Sequence, residues 1–86
     1  MQSIKVTISN DTGLHARPAT LLVKKASSFK SEVSVEANGK KVNAKSLIGV
    51  LSLGATKGTE VSIITSGEDE LEAANEIVKL IKTLED

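Results

Sequence analysis

The chain has 86 residues, 40% hydrophobic and 26% charged, with no cysteine, one proline, one histidine and a single aromatic residue, Phe29. That length and composition suit one small globular domain, residues 1–86, and the missing cysteines exclude a disulfide framework and thiolate metal sites. Eleven basic and eleven acidic residues cancel, so the chain has neither the excess positive charge nor the stacking rings of a direct nucleic-acid binder.

From Met1 to Asn10 polar and apolar residues alternate, and no later stretch approaches membrane-spanning length. The expectation is a cytoplasmic protein, neither exported nor inserted in a membrane. Ile4, Val6 and Ile8 alternate with Lys5, Thr7 and Ser9, which predicts a first strand with one buried face. After the turn residues Asn10 to Gly13, the spacing of Ala19, Leu22, Val23 and Ala26 predicts a helix facing a core and starting near Ala16.

That start is where local structure and reactive chemistry coincide. A helix beginning at Ala16 makes His15 its N-cap and leaves the first backbone N–H groups, that of Ala16 foremost, without an intrahelical acceptor. Those donors and the positive end of the helix dipole form a ready anion site. Imidazole is the side chain that offers a free nitrogen lone pair near neutral pH, so His15 has the chemistry to attack phosphorus. Arg17 adds a permanent planar cation for phosphoryl oxygens. Pro18 forfeits an N–H that lacks a partner in the first turn, and it disfavours helical geometry at Arg17, which predicts a distorted first turn. A lone histidine before a helix is more often a capping or surface residue than a nucleophile. Only the combination of His15, Arg17 and the helix start raises it above that background.

Val33, Val35 and Ala37 alternate up to Asn38-Gly39, the pair favoured in a two-residue type I′ hairpin. Such a turn pairs Ala37 with Lys40, Val35 with Val42 and Val33 with Ala44. A second helix starts after Asn43-Ala44-Lys45, with Ser46 as its N-cap. Leu47, Ile48 and Leu51 fall on one side of this helix, Val50 and Leu53 on another. Two readings stay open. Either the helix is buried nearly all round, or Val50 and Leu53 face the sheet and the other three form an exposed partner patch. Helical spacing sets Leu21 with Arg17, Thr20 and Lys24 on the outer face of the first helix, which would extend such a patch, rimmed by Arg17, Lys24 and Lys45. That surface suits acidic partners.

Val61, Ile63 and Thr65 predict a fourth strand. Leu71, Ala74, Ile77, Val78, Ile81 and Leu84 predict a long last helix whose start Asp69 and Glu72 could cap as a box. The order strand, helix, strand, strand, helix, strand, helix predicts an α+β open-faced β-sandwich, a four-stranded antiparallel sheet with three helices on one face.

The segments Gly13-Leu14-His15-Ala16-Arg17-Pro18-Ala19 and Lys45-Ser46-Leu47-Ile48-Gly49-Val50-Leu51-Ser52-Leu53-Gly54 resemble the two signature regions of the HPr family, and the likeness in length and element order spans essentially the whole chain. The resemblance implies a phosphocarrier rather than an enzyme, working without cofactor. On this basis His15 accepts a phosphoryl group on Nδ1 from phosphorylated Enzyme I, itself charged by phosphoenolpyruvate, and passes it to sugar-specific enzyme IIA proteins. Arg17 then assists at the phosphoryl group. Thr20, Leu21, Lys24, Leu47, Ile48 and Leu51 dock the successive partners. The resemblance further implies that Ser46 is a phosphorylation site of an HPr kinase/phosphorylase, which would make the protein a corepressor for a catabolite-control transcription factor. Positions 48 and 51, often methionine in the family, are Ile48 and Leu51 here.

Other readings compete. A purely regulatory paralogue would act through Ser46 alone, although the retained His15 speaks against it. A nitrogen-branch carrier would keep the chemistry of His15 and deliver to other enzyme IIA proteins. A small α+β sandwich also serves as a ligand-sensing or RNA-binding module, since fold does not fix function; the neutral charge and scarce aromatics weaken the RNA version.

Overall fold

A computed structural model of the chain describes residues 1–84, which form β1 (Gln2–Thr7), α1 (Ala16–Ser27), β2 (Glu32–Ala37), β3 (Lys40–Asn43), α2 (Leu47–Ser52), β4 (Glu60–Ser66) and α3 (Glu70–Lys82). The strands join into one antiparallel sheet in the order β1-β4-β2-β3. Period-two alternation explains its two faces. Val6, Val33, Val35, Ala37, Val61, Ile63 and Thr65 are buried under the helices, while Lys5, Thr7, Glu36 and Lys41 stand on the open side.

The hairpin register follows from its turn. Ala37 pairs with Lys40 and Val35 with Val42, and the pairing runs on past the strand end, where the Ala44 N–H donates to the Val33 carbonyl (2.8 Å). Asn38 and Gly39 have φ of 53° and 77°, as a type I′ turn requires. Leu22 of α1 and Ile77 and Ile81 of α3 are wholly buried in the same core as the sheet. Burying each of these side chains contributes roughly 1.5–3 kcal/mol.

The last helix departs from its expected pattern in two places. Leu71 is 58% exposed, and the buried stripe runs through Ala73 and Ala74 to Ile77, Val78 and Ile81. The helix axis is therefore rolled toward the alanine side, where small residues allow close approach. Asp69 is the N-cap but makes no side-chain cap, so no capping box forms with Glu72. Its carboxylate is committed elsewhere, accepting from the Ser31 hydroxyl and from the N–H groups of Lys30 (3.0 Å) and Ser31 (2.9 Å), at the head of β2. The Asp69 N–H in turn donates to the Ser31 hydroxyl (3.1 Å). These donors, the Ser31 hydroxyl first, hold the Asp69 carboxyl down at about 2. Glu70 takes over at the helix start, accepting from the Gly67 N–H (3.2 Å) and pairing with the Met1 ammonium. That ammonium, followed by the Gly67 N–H, lowers the Glu70 carboxyl from its ordinary value.

Candidate functional site

The segment entering α1 is held from behind by the loop that follows α2. Leu14 is buried, and its N–H donates to the Ala55 carbonyl (2.9 Å). Gly13 lies so close to this loop that an added Cβ would collide with the Ala55 carbonyl oxygen and lie 2.7 Å from Thr56 Cα. Its φ is 67°, in the left-handed region that favours glycine. The Asn10 side chain donates to the Gly13 carbonyl (2.9 Å), and Lys57 pairs with Asp11 (3.1 Å). His15 is thereby delivered to the surface on a short, fixed segment.

There it occupies the N-cap of α1 with extended backbone, φ −137° and ψ 150°, and is exposed. Its side chain makes no cap, so no helix N–H is bonded to the ring. Ala16 follows with φ 49°, a left-handed conformation that costs a non-glycine residue about 1–2 kcal/mol. A left-handed residue at the head of a right-handed helix gathers successive N–H groups toward one concavity, a geometry that binds anions. The left-handed residue of the first turn is thus Ala16, two positions before Pro18. Pro18 itself is buried in the first turn. Arg17 is exposed and makes no ion pair among the described residues, so its guanidinium is uncommitted beside the open helix end. The first turn of α1 holds no acidic residue, and nothing there repels an anion.

The second helix start differs. Ser46 is the N-cap of α2, and its hydroxyl accepts from the Gly49 N–H (3.2 Å). Asn43 supports the turn by accepting from the Lys45 N–H (2.9 Å). Val50 and Leu53 are buried, whereas Leu47 and Leu51 are 40% and 37% exposed and Ile48 is 82% exposed. The exposed-patch reading of α2 therefore holds, and α2 packs against α1. On α1, Thr20, Leu21 and Lys24 are exposed beside Arg17. Lys45 departs from its expected place on the rim: it is half-buried, and its ammonium donates to the Phe29 carbonyl (2.9 Å).

The structure leaves His15, Arg17 and the patch residues exposed, while the loop 54–59 behind His15 carries no signal in the sequence. Gly13 was legible only as a turn residue, because the atom that forbids a side chain there belongs to Ala55, more than forty residues away. Among the described residues no three His, Asp or Glu side chains are grouped to hold a metal ion, and no helix is long and apolar enough to cross a membrane.

Residues 2–83 match the family model described as the PTS HPr component phosphorylation site. Among solved structures, HPr-C-His from Thermoanaerobacter tengcongensis superposes with a TM-score of 0.94 at 48% identity, covering 96% of this chain and 93% of that one. The phosphocarrier protein HPr from Bacillus anthracis gives 0.89 at 38% identity, over 92% of this chain and 94% of the other. Crh, the catabolite repression protein of Bacillus subtilis, whose crystal structure is a dimer with a swapping domain, gives 0.77 at 48% identity, over 95% and 94%.

Proposed function

The chain belongs to the HPr family of the phosphotransferase system, and from that premise we propose that His15 is the residue that carries the phosphoryl group. Phosphocarriers of this family are not enzymes in themselves, so donor and acceptor proteins supply the rest of each active site. The observation that carries the reading is the exposed N-cap His15, whose ring caps nothing, set against an open helix start with Arg17 beside it.

In the forward step the Nδ1 lone pair attacks phosphorus on phosphorylated Enzyme I. The Nδ1–P bond forms as the bond from phosphorus to the donor atom breaks, and the donor keeps that electron pair. The dianionic phosphoryl group then sits at the N-terminus of α1, where the first-turn N–H groups and the Arg17 guanidinium stabilise it. Transfer to an enzyme IIA protein reverses the roles, with an acceptor nucleophile displacing Nδ1. Phosphoryl transfer depends chiefly on positioning and charge stabilisation. The grip of Ala55 on Leu14 and the tight fit of Gly13 supply the positioning. The patch of Thr20, Leu21, Lys24, Leu47, Ile48 and Leu51 docks each partner over the histidine, with Arg17 and Lys24 complementing acidic surfaces.

A regulatory role through Ser46 is a second reading, favoured by the 48% identity to Crh and by the place of Ser46 beside Leu47 and Ile48. Phosphate at that N-cap adds about two negative charges at the docking patch, which favours the start of α2 and repels acidic partners. An HPr kinase/phosphorylase and a catabolite-control transcription factor are the partners of this reading.

The deciding experiment is intact mass after incubation with Enzyme I, Mg²⁺ and phosphoenolpyruvate, for wild type and His15→Ala. A phosphoryl-sized, acid-labile addition confined to the wild type is the expected result. With a competent Enzyme I, no addition to either protein would sink the carrier reading and leave the regulatory one.

A further inference from the structure

The sheet has two edges, and they are built differently. β3 spans Lys40–Asn43, only 4 residues, and carries Lys40 and Lys41, the short and charged kind of edge that resists pairing with another chain. β1 spans Gln2–Thr7, 6 residues, and pairs with β4 alone. On its outer side alternate residues therefore present backbone N–H and C=O groups with no strand opposite among the described residues.

Beside that open edge a groove of about 480 Å³ runs between β1 and α3, lined by Ile4, Asn75, Val78, Lys79, Lys82 and Thr83. Its apolar lining comes from half-buried Ile4 and from Val78. Lys79 and Lys82, in the last turn of α3, are exposed and form no ion pair among the described residues. An edge strand with a helix alongside and an apolar groove between them is the arrangement by which an extended peptide adds a strand. Main-chain hydrogen bonds bind it, and alternate side chains enter the groove.

We propose that the β1 edge and the groove under α3 form a second docking site, which receives an extended acidic segment of a partner protein as an additional strand. Apolar side chains of the segment lie over Ile4 and Val78, and its carboxylates meet Lys79 and Lys82. Charge argues for this occupant, because carboxylates on the segment complement the two exposed lysines. Neither β1 nor α3 carries His15, Arg17, Ser46 or any residue of the α1–α2 patch, so the site is independent of the carrier reading.

The test titrates isotope-labelled protein with capped peptides of roughly eight residues, the length of a typical strand, alternating valine with glutamate or valine with lysine. The expected result is amide shifts confined to Gln2–Thr7 and Val78–Thr83 with the glutamate peptide, and at least about tenfold weaker binding of the lysine peptide and of Lys79→Glu/Lys82→Glu protein. The doubly substituted protein should still accept a phosphoryl group from Enzyme I at the wild-type rate, which separates loss of this site from loss of the fold. Equal binding of both peptides, shifts outside β1 and α3, or no shift at about millimolar peptide would each overturn the proposal. So would a concentration-dependent dimer of the free protein that loses the β1 amide exchange, since the second copy would then be the occupant.

Discussion

At the start of α1 the N-cap His15 has φ −137° and ψ 150°, and its side chain bonds to no helix N–H; at the start of α2 the N-cap Ser46 has φ −110° and ψ 116°, and its hydroxyl accepts from the Gly49 N–H. Both backbones are extended in the ordinary N-cap manner. The difference lies in what the helix donors find. In α2 the Ser46 hydroxyl already serves one of them. In α1 the His15 side chain serves none of them, and the left-handed Ala16 adds strain at the same point. The helix end left unfinished as structure is the one at which we propose the phosphoryl group is held. The start of α3 is a third case: Asp69 is a good capping residue whose carboxylate is spent on Ser31 and Lys30.

The sharpest way to break the contrast is to give α1 the cap it lacks. His15→Asp supplies a preferred N-cap and a negative charge at the helix start. Phosphoryl uptake should vanish in the mass assay while the thermal midpoint rises. A midpoint that falls instead would mean that the α1 start is not short of a cap. Gly13→Ala attacks the support behind the site, forcing a side chain into a left-handed position against the Ala55 carbonyl. We expect about 1–3 kcal/mol of lost stability in urea unfolding, together with slower phosphorylation of His15. Unchanged kinetics would show that the 54–59 loop does not position the histidine.

Ser46→Ala should cost about 1 kcal/mol by removing the α2 cap, with phosphoryl uptake close to wild type. Ser46→Asp keeps a capping side chain and should retain stability, yet slow transfer from Enzyme I in a salt-dependent way through its charge on the docking patch. If the two variants behave alike in transfer, charge at Ser46 does not govern docking. The smallest effect concerns α3. The Asp69 carboxyl is depressed to about 2 from an ordinary 3.8, so its contribution is present above the unfolded value and is lost as pH falls through the folded one. The midpoint difference between wild type and Asp69→Asn should stay constant above pH 3.8 and close toward about 2. A gap that persists unchanged at the acid end would show that the carboxylate's charge is not what binds Ser31 and Lys30.

Local patterning alone settled most of the architecture. Alternation sets the faces of β1, β2 and β4, and Asn38-Gly39 sets the β2–β3 register, because a two-residue turn with positive φ leaves one pairing open to the strands. His15, Arg17 and Ser46 were legible because helix starts are local events, written in a few consecutive residues. Periodicity leaves both flanks of the apolar stripe on α3 open as core, and the structure buries the flank of Ala73 and Ala74 and exposes Leu71. The exposure of Leu47, Ile48 and Leu51 was undecidable on periodicity, since a short helix with apolar residues on two sides can bury either. The use of the Asp69 carboxylate, the contact of Gly13 with Ala55 and the turn of the Lys45 ammonium toward Phe29 were invisible in the sequence for one reason. Each is made with atoms sixteen or more positions away in the chain, and only packing brings such partners within hydrogen-bond or contact distance.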